Sequence, residues 1–309
     1  KCLYPERDFF FPKNTKLYLI IMNYVGGVRG MEHSLGFLGF GEAASQIACG
    51  FHTQGITENA AYDVAMNTKG GQKKLLGERL QETDVTPVES IEQLMRRSRI
   101  IFLVVPAKFA RDAAMEALPY MTKEHIFCDL TTNKPSVKEE LGRSFAERGY
   151  LYVDASVMGA VPIYQHRTPM YVCGNGAKEM IRLMTPLGMN LTYVGEEAGR
   201  AVKMKLTRSI FVKGVEALTL ETLMTARKLG IEKEIVEGIE ASFQKLGFTR
   251  FCGQLVTSGV LHAERRSYEA LECRELEDEL GLNSLMAEAA FQKLKWYAEY
   301  GYTKMDPLP

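Results

Sequence analysis

The sequence lacks an excess of charge of either sign, and it lacks a long apolar run. Its 309 residues include 38 Lys and Arg against 38 Asp and Glu. Proteins that bind nucleic acid normally carry a basic excess that displaces counterions from phosphates, so this balance argues against that class. A transmembrane helix needs about 18 or more consecutive apolar residues, and no such run occurs. We therefore expect neither nucleic acid nor a membrane as a partner.

Cysteine is also sparse, and the cysteines are scattered along the chain. They form no C-x-x-C pair, and no histidine stands at metal-ligand spacing from them, so the sequence predicts no metal site. A cysteine among apolar neighbours behaves as a small buried residue, and scattered cysteines without a paired pattern predict a protein of a reducing cytoplasm. The six positions are Cys2, Cys49, Cys128, Cys173, Cys252 and Cys273.

What is present is an apolar fraction of 46%, an ordinary globular value, in a chain long enough for about two domains. Residues 1–32 stand apart from the rest. There, Lys13 and Lys16 precede a short apolar stretch from Leu17 to Met22 that resembles a secretory signal. Met31 stands where the regular pattern begins, so we interpret 1–32 as an N-terminal extension, with export as the alternative.

Short apolar segments alternate with helical periodicity in residues 33–195, and only helical periodicity follows in residues 196–309. This order predicts βαβ units and an α/β fold, a Rossmann-type doubly wound parallel sheet, followed by an all-α domain. The predicted strands are 34–39, 59–64, 100–105, 126–130, 151–156 and 170–173. The predicted helices are 42–52, 91–96, 108–118, 136–148, 198–229, 232–246, 255–271, 275–280 and 284–297.

A glycine-rich loop joins the first predicted strand to the first predicted helix. It reads Gly39-Phe40-Gly41-Glu42-Ala43-Ala44, which is G-x-G-x-x-A. In a dinucleotide site Gly39 would allow the tight turn, Gly41 would let the backbone approach a pyrophosphate, and Ala44 would let helix and strand pack closely. The N-terminus of the helix would then face the phosphates.

The choice between NAD and NADP depends on Asp63, near the end of the second predicted strand. A carboxylate at this position suits the ribose hydroxyls of NAD and repels the 2′-phosphate of NADP. Asn67, Thr68 and Lys69 follow closely and would accommodate the phosphate if Asp63 turned away. NAD is slightly favoured.

Five spaced segments occur in the order seen in one superfamily. They are the glycine loop, Phe102-Leu103-Val104-Val105-Pro106, Asp129-Leu130-Thr131-Thr132-Asn133-Lys134-Pro135, Val153-Asp154-Ala155-Ser156-Val157-Met158-Gly159-Ala160 and Ala198-Gly199-Arg200-Ala201-Val202-Lys203-Met204. The chain resembles the β-hydroxyacid dehydrogenases, which include 6-phosphogluconate and 3-hydroxyisobutyrate dehydrogenases. The resemblance implies that Val105, Pro106 and Thr132 contact the cofactor, that Thr131 lies on the substrate side, and that the protein is a homodimer.

The resemblance also implies that Lys203, in the motif G-x-x-x-K, is the general acid and base. Such a lysine needs desolvation or a neighbouring cation to bring its pKa towards neutrality. Without the motif, Lys203 would be interpreted as a solvated lysine on a helix.

Substrate-side positions depart from the family pattern. The family's serine is Met158, a glycine beside Gly159 is Ala160, and an asparagine one turn after the lysine is Thr207. A methionine cannot replace the hydrogen bonds of a hydroxyl group, so we expect a substrate other than 3-hydroxyisobutyrate or 6-phosphogluconate.

The C-terminal half carries the pattern H-A-x-R-R-x-x-E, which looks like a less characterised branch of 6-phosphogluconate-dehydrogenase-like proteins. Arg265 falls on a family lysine that helps to hold the cofactor. We predict that His262, Arg265, Arg266 and Glu269 share one helix face. Such a face can bind an anionic substrate or can simply be solvated, and His262 is included here as a candidate substrate residue.

Together these features predict a cytoplasmic NAD(P)-dependent dehydrogenase or reductase that acts on CH–OH groups. Hydride transfer would involve a small, anionic, hydroxyacid-like substrate in a cleft between the two domains. Two alternatives stay open. One is an imine-reducing relative, and the other is a protein that binds NAD(P) without turnover.

Overall fold

The computed structural model describes residues 34–68 and 71–300, apart from the side chains of residues 245 and 246. The extension predicted at 1–32 and the predicted phosphate neighbour Lys69 lie outside the described residues. The chain divides into two compact units, the first extending to Thr207 and the second beginning at Arg208. No helix in the described part is both long and apolar enough to cross a membrane.

Within the described residues, one eight-stranded sheet has the strand order β3-β2-β1-β4-β5-β6-β7-β8. Neighbouring strands are parallel, except that β6 and β7 are antiparallel. The carboxyl ends of β1, β2, β4, β5 and β6 therefore lie at one edge of the sheet. The strands are β1 (Leu35–Leu38), β2 (Asn59–Tyr62), β3 (Thr86–Pro87), β4 (Ile100–Leu103), β5 (Ile126–Asp129), β6 (Leu151–Val157), β7 (Met170–Cys173) and β8 (Leu191–Gly195).

Helices cover both faces of this sheet because the strands are apolar on both sides. Alternate residues point in opposite directions, so Phe102 packs in the core on one face while Ile101 and Leu103 pack in the core on the other. The first-unit helices are α1 (Glu42–His52), α2 (Gly71–Thr83), α3 (Ile91–Arg97), α4 (Ala107–Ala117), α5 (Pro135–Ala146), α6 (Val161–Tyr164) and α7 (Ala177–Met184). The predicted doubly wound α/β fold is confirmed.

A long helix, α8 (Arg200–Leu229), begins in the first unit and continues into the second. The helices that follow it are α9 (Glu232–Leu246), α10 (Phe248–Leu261), α11 (Ala263–Glu279) and α12 (Leu285–Tyr300). The all-helical character of the C-terminal half is confirmed.

Several predicted boundaries are wrong. The continuous helix predicted for 255–271 is interrupted at His262, whose ψ of 28° takes it out of helical geometry, and the separate helix predicted for 275–280 is the end of α11. The helices α2 and α7 were not predicted. Exposed charged residues dominate α2, which gives it only a weak apolar stripe.

Candidate active site

The glycine loop lies at the carboxyl end of β1, and its backbone leaves no room for a side chain at Gly39. Gly39 has a φ of 89°, which glycine alone adopts readily. A Cβ there would lie 2.5 Å from the carbonyl oxygen of Val104 and 2.6 Å from Cγ1 of Val105. A Cβ at Gly41 would meet no atom within 4 Å. The loop is therefore packed tightly on its inner side and open at Gly41, the surface that a pyrophosphate needs.

The side chain of Asp63 ties this loop to the end of β2. Its carboxylate accepts the N–H of Phe40 at 2.7 Å and the N–H of Ala65 at 2.8 Å. The second hydrogen bond caps a short 3₁₀ turn at Val64–Asn67, which explains why β2 ends at Tyr62 and not at the predicted Val64. Asp63 is thus held against the glycine loop and does not turn away from it.

Other predicted cofactor residues lie around the same edge. Val105 packs against Gly39 after β4, and Pro106 precedes α4. Ala44 is fully buried in α1, so its small side chain permits the close helix packing that the motif predicts. Glu42 and Ala43 form the first turn of α1, where backbone N–H groups favour an anion.

The two threonines that follow β5 have different environments. The Thr131 side chain is buried, and its hydroxyl donates to Oδ1 of Asp129 at 2.7 Å. Thr132 is exposed, and its hydroxyl accepts a hydrogen bond from Nζ of Lys205 at 2.8 Å. Thr131, predicted on the substrate side, is therefore held inside by Asp129, whereas Thr132 and Lys205 form the polar pair that faces outward.

Behind this pair lies a buried charge cluster formed by Lys138, Asp129, Asp154 and Tyr152. Nζ of Lys138 lies 2.9 Å from Oδ1 of Asp129 and 3.4 Å from Oδ1 of Asp154. The Tyr152 hydroxyl donates to Oδ2 of Asp129 at 2.9 Å. Burial and the two carboxylates raise the pKa of Tyr152 well above its ordinary value, so the phenol remains a hydrogen-bond donor.

Lys205 has the electrostatic environment predicted for the proton-transfer group. It is half-buried, and its pKa is lowered, first by burial and second by repulsion from Lys138. Asp154 acts in the opposite direction and offsets part of this effect. Lys205 is a candidate that the sequence motifs do not indicate.

Lys203, the residue predicted for this role, lies elsewhere. Its side chain is 59% exposed and its Nζ is 2.8 Å from Oε1 of Glu139. This ion pair raises the pKa of Lys203, the opposite of what a general base needs. Lys203 lines a surface cavity of about 560 Å³ together with Arg143 and Arg200. The structure does not bring Lys203 to Thr132.

The rotation of α8 explains why Lys205, and not Lys203, lies beside Thr132. Oδ2 of Asp154 accepts the N–H groups of Gly199 at 3.0 Å and Val202 at 3.3 Å, which fixes how the helix begins. Ala201 and Val202 are completely buried, and Lys205 follows them by four and three positions on the same face. Lys203, the lysine of the motif G-x-x-x-K, therefore lies on a different, exposed side of this helix.

The substrate-side segment after β6 lies at the same edge of the sheet. The N–H of Met158 donates to the carbonyl oxygen of Pro169 at 2.8 Å, and its side chain is half-buried. Gly159 and Ala160 are exposed. Thr207 is exposed and lies two residues beyond Lys205. The residue one turn after Lys205 is Ser209.

The predicted polar face in the second unit is not a single helix face. His262 lies at the junction between α10 and α11, and it is exposed. Arg265 forms an ion pair with Glu269 one turn along α11. No structural contact assigns either His262 or Arg265 to a ligand, so their roles stay predictions.

Two sequence signals would have found the missed residues. Lys138 shares a buried helix face with Leu141 and Phe145, at spacings of three and seven. A lysine on such a face needs buried carboxylates, and Asp129 and Asp154 stand in otherwise apolar strands. Lys205 similarly continues the apolar face of the helix that begins near Ala201.

Two families match the chain. The family described as "NAD binding domain of 6-phosphogluconate dehydrogenase" matches residues 34–195. A domain of unknown function, DUF1932, matches residues 226–297. The first match confirms the resemblance inferred from the motifs, and the second falls on the predicted distinct helical domain.

Solved structures and a curated relative agree with these matches. A conserved hypothetical protein from Sinorhizobium meliloti is 29% identical, with a TM-score of 0.59 over 90% of this chain and 93% of that one. An imine reductase from Myxococcus stipitatus in complex with NADP⁺ is 18% identical, with a TM-score of 0.70 over 88% and 96%. The NADH-dependent oxidoreductase ucdB of Aspergillus ustus is 25% identical over 48% of this chain and 51% of its own length.

The sheet and the glycine loop both lie within the family match, which covers residues 34–195. The chain belongs to the family of the NAD binding domain of 6-phosphogluconate dehydrogenase, and it is an NAD(P)-dependent oxidoreductase with a helical C-terminal domain.

Proposed function

We propose that the protein interconverts a hydroxyl and a carbonyl group on a small anionic substrate, with NAD as the preferred cofactor. The observation that carries this proposal is the hydrogen bond between Lys205 and Thr132, at the sheet edge that also presents the glycine loop. A lysine with a lowered pKa beside a hydroxyl group is suited to exchange a proton with a substrate oxygen.

In the proposed reaction, Lys205 transfers the proton that accompanies the hydride. When bound, the nicotinamide supplies the hydride in reduction and takes it up in oxidation. In reduction the carbonyl carbon gains the C–H bond and the carbonyl π electrons move to oxygen. Lys205 then donates its proton to that oxygen and regains one from solvent. In oxidation, neutral Lys205 removes the hydroxyl proton. Thr132 orients the ammonium group through its hydroxyl.

The residues of the glycine loop fit a dinucleotide. Gly41 is open where a pyrophosphate would approach, and the first turn of α1 offers its N-terminus. A preference for NAD is supported by Asp63, which is held at the loop by Phe40 and Ala65. A carboxylate fixed there repels a 2′-phosphate. One structural neighbour binds NADP⁺, and its V8 variant binds NAD⁺, so the fold accommodates either cofactor.

Imine reduction is the second candidate, and Met158 is the observation that favours it. Its half-buried thioether side chain stands at the position where the related dehydrogenases carry a serine. An apolar group suits a cyclic imine better than it suits a carboxylate. The presence of Lys205 favours hydroxyl and carbonyl chemistry.

The proposal extends to a homodimer with a cytoplasmic location. Large apolar side chains on α8, among them Leu220 and Met224, are exposed. Exposed apolar areas of this kind are typical of surfaces that pack against another chain.

A substrate screen tests the proposed chemistry. Short hydroxyacids, the matching keto acids and aldehydes, and cyclic imines are incubated with NAD(H) and NADP(H), and absorbance of the reduced cofactor is followed. Lys205→Ala should lower kcat by roughly 10²- to 10⁴-fold, the usual contribution of a general acid or base. Lys203→Ala is the matched control and should change kcat less than about threefold, because its exposed ion pair contributes little.

Three outcomes would count against this function. Turnover of imines alone would favour the second candidate. Equal losses in the two lysine variants would remove the assignment of Lys205. Binding of NADH without turnover of any substrate would favour a protein that only senses the cofactor.

A further inference from the structure

The buried charge cluster is connected with the proposed proton-transfer group through β5, because Asp129 binds Thr131 and the next residue, Thr132, binds Lys205. Lys138 has no exposed side-chain surface, and its ammonium lies between the carboxylates of Asp129 and Asp154. It also donates to the backbone carbonyl of Asp129 at 2.9 Å. A lysine is almost never fully buried unless it is paired, so its position in the core calls for a physical reason.

We propose that Lys138 is a positioning residue that acts through Lys205: its fixed positive charge sets the charge state in which Lys205 meets the substrate. This inference rests on the proposed function and deepens it. Lys138 does not touch the substrate in this scheme. Its partners keep it in place, and the effect is exerted through space on the second ammonium group.

Electrostatic repulsion determines in which direction Lys138 shifts the charge state of Lys205. Two ammonium groups in a partly desolvated region repel each other, so a fixed cation favours the neutral form of a neighbouring lysine. Lys138 is the second cause of the lowered pKa of Lys205, after burial. Without Lys138, the carboxylate of Asp154 would act on Lys205 without that opposing cation and would favour its charged form.

The surrounding elements are consistent with this division of roles. On β5, Asp129 also binds the backbone and hydroxyl of Thr131, the residue before Thr132. On β6, Asp154 caps the start of α8, and Tyr152 contributes only a neutral phenol. The same cluster therefore sets the position of both members of the Lys205–Thr132 pair.

Competitive acetylation measures the charge state of Lys205 directly and needs no substrate. The full chain is labelled with trace acetic anhydride over a range of pH, and mass spectrometry gives the labelling midpoint of each lysine. In the wild type, Lys205 should have a lower midpoint than Lys203, the exposed control on the same helix. Lys138→Met should move the Lys205 midpoint to higher pH. Asp154→Asn should move it to lower pH, because the negative charge that favours the ammonium form is lost while the side chain keeps an oxygen to accept the N–H groups at the start of α8.

Opposite shifts in the two variants, with Lys203 unmoved, are the expected result. If Lys138 had only a structural role, the labelling midpoint of Lys205 would not shift in opposite directions in the two variants. Equal midpoints for Lys205 and Lys203 in the wild type, or shifts of the same sign in both variants, would overturn the proposal. If Lys138→Met does not fold, Lys138→Arg replaces it. Because the charge is kept, the Lys205 midpoint must then stay nearer to the wild-type value than the midpoint in Asp154→Asn.

Activity measurements separate this inference from the proposed function. Where the wild type turns over a substrate, the pH profile of oxidation should follow the labelling midpoint in each variant. If no substrate is found, the proposed function fails while the labelling result still decides whether Lys138 controls Lys205.

Discussion

The two units of the chain differ in how far they bury their apolar side chains. The first unit buries them on both faces of its sheet, so that Phe102 and Phe127 have no exposed surface. The second unit leaves large apolar groups exposed, with Leu220 61% accessible. Within residues 208–300, apart from the side chains of 245 and 246, the buried residues are Ala226, Ala263, Ser267 and Glu277.

This difference indicates that the two units obtain their stability from different sources. The first unit has a complete core and places its polar site at the edge of the sheet. The second unit contains long helices with many exposed large apolar side chains, and contiguous exposed apolar surface is typical of contacts between chains. A second copy of the chain would provide the missing cover. We therefore expect chemistry and core stability to depend on the first unit and assembly to depend on the second.

The largest effect is expected where a charge enters the exposed apolar face of α8. Leu220 and Met224 are one turn apart on that helix. The double variant Leu220→Glu/Met224→Glu should weaken a dimer by about 3 kcal/mol or more, because unpaired charges would be buried. Sedimentation equilibrium should give twice the chain mass of 34.7 kDa for the wild type and a monomer for the variant.

Leu75→Glu is the matched control in the first unit, where the exposed leucine lies on α2. It should leave the assembly state unchanged. A wild-type monomer, or a dimer that persists in the double variant, would contradict the comparison between the units.

The second effect concerns acid stability, which the first unit should dominate through His166. This side chain is 2% exposed and packs against Phe51 with ring centroids 4.9 Å apart. Burial, and secondarily the charge of Arg167, lowers the pKa of His166 to about 4 from 6.5. Because the pKa of His166 is lower in the folded state than in the unfolded state, protonation of His166 in acid favours unfolding. Its contribution is intact above pH 6.5, and roughly 3 kcal/mol is lost as the pH falls towards 4.

His166→Phe should remove this part of the pH dependence. Urea unfolding between pH 7 and pH 4 would give a flatter curve of unfolding free energy than the wild type. The exposed His262→Gln in the second unit serves as the control and should keep the wild-type slope. A wild-type slope in His166→Phe as well would show that the buried imidazole is not the group responsible.

The sequence predicted the fold and the cofactor loop well because both depend on local patterns. The sequence Gly39 to Ala44 determines its own turn, and the apolar strands determine the layers. The motif places the acid–base group at Lys203, whereas the role that we propose for Lys205, two residues away, depends on how α8 is rotated. Asp154, in another strand, fixes that rotation, and the motif G-x-x-x-K does not record this distant contact.

The third effect tests the cofactor preference at the edge of the first unit. In Asp63→Asn the charge is lost, and one of the two backbone N–H groups of Phe40 and Ala65 loses its acceptor. The ratio of kcat/KM for NADH to that for NADPH should fall about tenfold, which corresponds to about 1.4 kcal/mol of repulsion removed from the 2′-phosphate. Asp84→Asn, in the same unit but beyond α2, is the control. An unchanged ratio in Asp63→Asn would show that the carboxylate does not select the cofactor.

The smallest effect concerns the buried acid of the second unit, which sharpens the contrast with the paired charges of the first. Oε1 of Glu277 accepts the Thr225 hydroxyl at 2.8 Å, while Oε2 has no partner among the described residues. Burial raises its pKa above 4.5, repulsion from Glu221 adds to this, and the Thr225 hydrogen bond opposes it. Since the pKa of Glu277 is higher in the folded state than in the unfolded state, Glu277 stabilises the fold most below pH 4.5, and this stabilisation is lost as the pH rises.

Glu277→Gln keeps the acceptor for the Thr225 hydroxyl and should therefore raise the unfolding free energy at pH 7 by roughly 0.5 kcal/mol, with no gain at pH 4. Glu279→Gln, on the same helix and exposed, should change neither value; a gain that persists at pH 4 would mean that packing, not charge, is the cause.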